Sequence, residues 1–310
     1  MRICLITGSG GLIGSESVEF FSKKFDLLLG IDNDSRKQFF GKKASVKWNI
    51  ERIKKKIKNY RHINLDISKF NELKKIFLKY NKNIELVIHC AAQPSHDWAA
   101  KQPSLDFKTN TIGTFNMLEL SRLYCPETTF IFTSTNKVYG DWPNQFQYLE
   151  KDLRYDLKKN NFFFRKGFNE TLSVDNSTHS IFGANKLGAD ILVQEYGKYF
   201  NMKTVCFRGG CLTGSNHSGA ELHGFLSYLI RCNLEKKKYF IFGYKGKQVR
   251  DNIHSKDLVS QFWEFYKKPK FGEVYNTGGG KHSNCSVLEA IHLVQKKTKI
   301  KMNYKILKNN

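Results

Sequence analysis

At 310 residues, 40% of them hydrophobic and 14% aromatic, the chain is long enough to build a core in two lobes. No apolar run approaches a membrane span, and the first apolar residues already belong to a strand, so neither a membrane partner nor a signal peptide is expected. The formal charge of +23 raises a nucleic-acid partner, but the excess is lysine spread over the whole chain with no recognition module, which reads as a compositional bias of the source genome whose field would still help draw in an anionic nucleotide.

Seven scattered cysteines, odd in number and without a C-x-x-C pair, read as small buried side chains in a reducing compartment, the cytoplasm, with neither disulfides nor zinc. His89, His96, His179, His254 and His282 lack metal-ligand spacing, and no metal site is expected.

In chain order, Arg2-Ile3-Cys4-Leu5-Ile6 is a strand-forming run, followed by Thr7-Gly8-Ser9-Gly10-Gly11-Leu12-Ile13-Gly14 and then by apolar residues at helical spacing to Phe25. A strand, a turn with Gly8, Gly11 and Gly14 at G-x-x-G-x-x-G spacing, and a helix make a pyrophosphate-binding corner: glycine permits close backbone approach and the helix start offers free N–H groups. Asp32 lies eighteen residues past Gly14, at the end of a second strand, Leu27–Ile31. A carboxylate there accepts hydrogen bonds from ribose hydroxyls, which favours NAD over NADP.

The basic stretch from Ser35 to Tyr60 reads as loop plus a short exposed helix. A third strand is expected at His62–Leu65, a helix at Ser68–Lys79, and a fourth strand at Glu85–His89 running into Cys90-Ala91-Ala92. Asn110 opens a helix to about Leu123, a fifth strand follows at Thr129–Phe132, a helical region spans Glu170–Phe200, and Thr204–Arg208 is a further strand. This alternation predicts an α/β fold, a doubly wound parallel (Rossmann) sheet. The dinucleotide-binding domain is placed at 1–207 and a smaller C-terminal substrate lobe, partly interleaved with the sheet, at 208–310.

Thr133-Ser134-Thr135-Asn136-Lys137-Val138-Tyr139-Gly140-Asp141 and Gly246-Lys247-Gln248-Val249-Arg250-Asp251, with the glycine turn, make the chain resemble the extended short-chain dehydrogenase/reductases, specifically the NAD-dependent epimerase/dehydratase family and within it the CDP-paratose 2-epimerases. The resemblance implies that Gly8, Gly11, Leu12, Ile13, Gly14, Asp32, Asn33, Arg36, Asp66, Ile67, Ala91, Ala92, Gln93, Asn110 and Lys186 hold NAD. It implies that Thr135 and Lys186 are catalytic, and that Thr135, Asn136 and Arg250 meet a nucleotide-diphosphate sugar, a CDP-sugar. The implied reaction is inversion of a sugar centre through a transient keto-sugar, in a homo-oligomer.

Two departures stand out. Phe182, four residues before Lys186 and on the same helix face, occupies the family's tyrosine position and cannot transfer a proton; Tyr139, Lys137 and His179 are the nearby alternatives. The chain also ends at Asn310, earlier than the resemblance implies, which leaves the completeness of the substrate lobe open. Alternatives are a dehydratase or reductase of the same superfamily, or an impaired NAD-binding scaffold. Asn136-Lys137, where a dehydratase would carry an acid pair, counts against the first.

Overall fold

The computed structural model describes residues 1–221 and 223–307. Its centre is a seven-stranded parallel sheet of β1 (Ile3–Thr7), β2 (Leu27–Ile31), β3 (Tyr60–Ile63), β4 (Ile84–His89), β5 (Thr129–Thr135), β6 (Lys203–Gly209) and β7 (Glu273–Thr277), in the order β7-β6-β5-β4-β1-β2-β3. The chain winds outward from β1 in both directions, so the β1/β4 boundary is the switch point where such sheets bind ligands beyond the strands' carboxyl ends. No helix among the described residues is long and apolar enough to cross a membrane.

All five residues of β1 are buried, and period-2 alternation splits them between two faces. Cys4 and Ile6 meet α1 (Leu12–Phe21), α2 (Lys47–Lys56) and, later in the chain, the helix Ser255–Lys267, through Val18, Phe21, Ile53, Leu258 and Phe262. Ile3 and Leu5 meet α3 (Phe70–Tyr80), α4 (Gly113–Tyr124) and α5 (Ser180–Phe200), through Leu73, Phe77, Met117, Leu118 and Val193. Helices on both faces of a parallel sheet leave no strand face to water.

Beyond Gly209 the chain leaves the sheet and returns to it. Ser255–Lys267 packs on one face and β7 closes the edge against β6. Between and after these, α6 (Phe225–Leu234) and α7 (Val287–Thr298) enclose a separate core of Leu229, Cys232, Tyr239, Ile241, Val287, Ile291 and Met302, where Tyr239–Phe242 pairs in parallel with Tyr304–Leu307. Of the stretch assigned to the substrate lobe, Leu222 and 308–310 lie outside the described residues.

Several elements differ from expectation. The first helix stops at Phe21 rather than Phe25, and β3 starts at Tyr60, two residues early. The lysine-rich stretch is not simply an exposed surface, because α2 buries Asn49, Ile50 and Ile53, a contact stripe that its lysines mask in the sequence. The long helix begins only at Ser180: residues 170–179 are held outside the helix by side-chain bonds, with Ser177 Oγ donating to the Tyr139 carbonyl (3.0 Å) and Asp141 Oδ1 accepting from Thr178 N (3.0 Å). Asn110 lies within a π-turn, Lys108–Ile112, that precedes α4.

The β1 turn is locked by backbone contact. Gly8 adopts φ +66°, Gly8 N donates to the Ile31 carbonyl (2.8 Å), and a Cβ on Gly14 would lie 2.1 Å from the Gly8 carbonyl oxygen. Asn49 Nδ2 supports the turn from α2 by donating to the Gly10 carbonyl at 2.9 Å. Below it, Thr7 Oγ1 accepts from the Cys90 (3.2 Å) and Ala91 (3.1 Å) amides and bonds His89 Nδ1 (2.6 Å), while His89 Nε2 reaches Thr114 Oγ1 (3.0 Å). Thus one hydroxyl ties the ends of β1 and β4 together.

Gly14→Ala should lower stability by about 1–3 kcal/mol, read as a fall in denaturation midpoint. Gly11→Ala, whose Cβ would meet nothing closer than 3.3 Å, should be milder. Equal effects would mean that the turn is not packed as described. A second expectation concerns His89, whose pKa burial holds down at about 3, with the Lys186 charge adding to the effect. The unfolded chain takes up this proton first, near its ordinary 6.5, so the stabilisation is complete above that pH and drains as pH falls toward 3. Denaturant titrations should show a loss on the order of 1 kcal/mol per pH unit that His89→Gln removes; an unchanged slope in the variant would contradict it.

Candidate active site

The carboxyl ends of the strands open into one cleft of about 2040 Å³. This exceeds the roughly 300–1,000 Å³ typical of a single ligand pocket, leaving room for two ligands side by side. Its walls include Gly8, Gly11, Leu12, Ile13, Gly14, Asp32, Asn33, Arg36, Asp66, Ile67, Ala91 and Ala92 on the sheet side, and Thr135, Asn136, Phe182, Lys186 and Arg250 further along. Residues distant in sequence therefore share one wall because their strands end at the same edge.

At the α1 end, Gly11 caps the helix without a side-chain bond, leaving the first-turn amides open to an anion. Asp32 is engaged before any ligand arrives: Oδ2 accepts from Gly10 N (2.9 Å) and Oδ1 from Asp34 N (2.8 Å). Burial nevertheless raises its pKa against these bonds. Asn33 Oδ1 accepts from Ser35 N (3.1 Å), and Asp66 Oδ1 from Ser68 N (2.8 Å), each shaping its own loop.

Arg36 reaches across to the far side, donating to the Ser218 carbonyl (2.9 Å) and bonding His223 Nδ1 (3.1 Å). Burial with no carboxylate beside it draws its pKa down to about 10. Trp48 Nε1 also bonds Ser218 Oγ (3.1 Å), so the 214–224 region is strapped to the sheet domain at two points.

Gln93 and Asn110 do not line the cleft. Their side chains are buried on each other: Asn110 Oδ1 accepts from Gln93 N (3.0 Å), Asn110 Nδ2 donates to the Gln93 carbonyl (3.0 Å), and both donate to Asp106 Oδ1 (2.6 and 3.0 Å). The π-turn swings Asn110 toward this loop, and the pair serves as support for the chain after β4.

Thr135 ends β5, and its Oγ1 accepts from Lys137 N (3.2 Å). Lys186 rises from α5, donates to the Thr133 carbonyl (2.9 Å) and sits 4.0 Å above the Phe132 ring. Burial lowers its pKa to about 8, against the opposing charge of Asp190. Phe182 lies one turn earlier on the same face, in the cleft wall, with its ring centroid 4.8 Å from that of His96.

The three alternatives for the missing phenol separate clearly. Tyr139 OH donates to Asn276 Oδ1 (2.7 Å) and accepts from Arg208 (2.9 Å), so its proton is spoken for. His179 bonds the Val138 carbonyl through Nε2 (2.9 Å) and is not in the cleft wall. Lys137 lines the cleft without an ion-pair partner among the described residues, its pKa lowered by burial and by Arg250.

Behind Thr135 lies a network that the motifs did not reveal. Arg208 on β6 forms a buried ion pair with Asp190 on α5 (2.7 Å), and Ser134 Oγ donates to the same carboxylate (2.5 Å). Breaking such a pair by removing one partner typically costs about 3–5 kcal/mol. Its only trace in sequence is a charged residue inside an otherwise apolar strand. Arg250 is exposed and, among the described residues, its side chain bonds only its neighbour's carbonyl, Val249 O (3.2 Å), while Asp251 accepts from the Gly279 and Gly280 amides (both 2.9 Å). The guanidinium is thereby left facing the cleft.

Residues 4–278 match the model of the NAD dependent epimerase/dehydratase family. The CDP-paratose 2-epimerase of Salmonella typhi is 30% identical over 308 residues, covering 97% of this chain and 86% of the relative. A dTDP-glucose 4,6-dehydratase of Salmonella typhimurium is 28% identical, covering 94% and 75%. Among solved structures, UDP-glucuronic acid 4-epimerase from Bacillus cereus, in complex with UDP-glucuronic acid and NAD, shares the fold with a TM-score of 0.75 at 24% identity, covering 100% of this chain and 87% of that one. With the glycine turn, the doubly wound sheet and this match over most of its length, the chain belongs to the NAD dependent epimerase/dehydratase family.

Proposed function

We propose that the protein is a nucleotide-sugar epimerase that holds NAD and acts on a CDP-linked sugar. The observation that carries the reading is the convergence of Thr135, Lys186 and Arg250 on the cleft that the glycine turn opens. The turn fits a dinucleotide: Gly8 in the left-handed region, Gly14 against the Gly8 carbonyl, and uncapped α1 amides make a cradle that any side chain would fill. Gly8, Gly11 and Gly14 would hold its pyrophosphate, Asp32 its adenosine ribose, and Lys186 its nicotinamide ribose. Its chemistry is reversible two-electron oxidation of a sugar carbinol.

The protein's part is then to bind, orient and move a proton. Thr135 presents a hydroxyl to the reacting sugar: Oγ1 accepts from Lys137 N (3.2 Å), and its proton is held only by a long bond to Asn136 Oδ1 (3.4 Å) that a sugar oxygen would displace. Lys186, fixed on Thr133 O, supplies positive charge where an alkoxide develops. Arg250 would pair with the diphosphate of the substrate. Asn136 and Lys137, in place of an acid pair, do not supply the carboxyl groups that elimination of water would use, and this favours inversion over dehydration.

The deciding experiment incubates the protein, purified without added cofactor, with CDP-, UDP- and dTDP-sugars, and follows products by NMR. Retained NAD and inversion of one CDP-sugar centre are expected; a 4-keto-6-deoxy product would make it a dehydratase, and an inert panel with NAD retained would make it a scaffold. Arg250→Ala should weaken nucleotide-sugar affinity about tenfold or more, the worth of a charge-assisted contact of roughly 1.5–3 kcal/mol, without loss of NAD. Calorimetry checks this, and collapse of NAD retention instead would show Arg250 to be structural.

A further inference from the structure

We infer that His96 takes the place of the missing phenol, accepting the proton of the reacting sugar hydroxyl at Nε2. The inference rests on the epimerase reading and adds to it the group that receives the proton. Phe182 stands where that proton should go, and its ring carries no acceptor. Against it lies the His96 imidazole, tilted by 59° with 4.8 Å between centroids, also part of the cleft wall.

The imidazole is held rather than loose. Its Nδ1 lies 2.9 Å from Ser180 Oγ, and Ser180 Oγ also accepts from Gly183 N at 3.3 Å. Ser180 adopts φ +61°, left-handed backbone that a serine seldom adopts, at the first residue of α5. Strain of this kind persists where the surroundings over-determine it, and here it aims a hydroxyl at an imidazole. In the Nδ1–H tautomer the ring donates to Ser180 Oγ and Nε2 is the acceptor nitrogen; among the described residues Nε2 has no hydrogen-bond partner.

The charged and titratable groups around it are Lys137 on the loop after β5, Asp97 beside it, and His223 across the cleft. Desolvation by the cleft wall, then Lys137, lowers the His96 pKa, with Asp97 opposing, although the residue keeps exposed surface that limits the effect. The ring is therefore uncharged at neutral pH, in the form that accepts a proton. Lys137, the other cleft-lining candidate, is an ammonium that would first have to lose one.

The step balances. The O–H bond of the sugar carbinol breaks and its proton passes to Nε2, while the carbinol C–H hydrogen leaves with its electron pair to a bound nicotinamide dinucleotide, and C=O forms. On return, the C–H bond forms on the opposite face and the imidazolium gives the proton back to oxygen.

The test compares wild type, His96→Gln and the double variant His96→Gln/Phe182→Tyr, each purified with its retained cofactor. Calorimetry with the CDP-sugar that the wild type inverts should show unchanged binding to His96→Gln, while kcat falls about 10²–10⁴-fold, the usual worth of a general base. The Phe182→Tyr replacement should restore part of that loss, which a misfolded variant could not do. Independently of turnover, the ¹⁵N signal of His96 Nε2, assigned by its disappearance in His96→Gln, should be that of a bare nitrogen at pH 7 and should shift when the CDP-sugar binds. Turnover of His96→Gln near the wild-type rate would overturn the proposal while leaving the epimerase standing. A wild type that binds no nucleotide sugar would overturn both.

Discussion

Everything in the site depends on how closely the backbone at Gly14 packs against the Gly8 carbonyl. A single methyl at Gly14 would sit 2.1 Å from that oxygen, so the first turn of α1 can lie over the end of β1 only with glycine there. That approach brings the helix amides to the sheet edge, and Thr7 Oγ1 then ties the chain after β4 to the same point through the Cys90 and Ala91 amides. Two strands end in register because one threonine hydroxyl accepts from the segment that follows the other. The cleft exists where these constraints meet.

α5 plays the corresponding part on the other wall. One face carries Phe182 and Lys186 to the cleft, and Asp190, one further turn along, goes inward to Arg208 and Ser134. The buried pair fixes α5 against β5 and β6, and with them the position of Thr135. A charge pair in the interior is poor evidence of stability by itself, because desolvation offsets much of its attraction. Its value here is positional: guanidinium and carboxylate meet in one geometry, which also orders Tyr139.

The substrate side is assembled differently. Its core is small, and it meets the sheet domain through polar reach: Arg36 and Trp48 to Ser218, Arg154 to Glu289 (3.3 Å) and Asn284 (2.6 Å). Such contacts can break and re-form at lower cost than apolar packing, which suits a cleft that must admit a large ligand. Part of the positive charge is gathered in the cleft, whose wall carries Arg36, Lys137, Lys166, Lys186, Arg250 and Lys281 among its cationic residues.

What sequence determined by itself were the features set by local rules: the glycine turn, whose spacing follows from backbone contact; β1, β2 and β4, whose apolar runs cannot sit anywhere but inside a parallel sheet; and Asp32, placed by the length of one helix between two strands. Thr135, Lys186 and Phe182 were legible through motif spacing, including the absent phenol. Tertiary structure decided the rest. Gln93 and Asn110 turned from the cleft to each other because a π-turn, invisible in residue pattern, rotates Asn110. The Ser35–Tyr60 stretch hid a core helix, since Ile50 and Ile53 are outnumbered by lysines that never touch the core. The Asp190–Arg208 pair and the contact of the His96 and Phe182 rings join residues 18 and 86 positions apart. No local pattern encodes such meetings, because they depend on which strands end side by side.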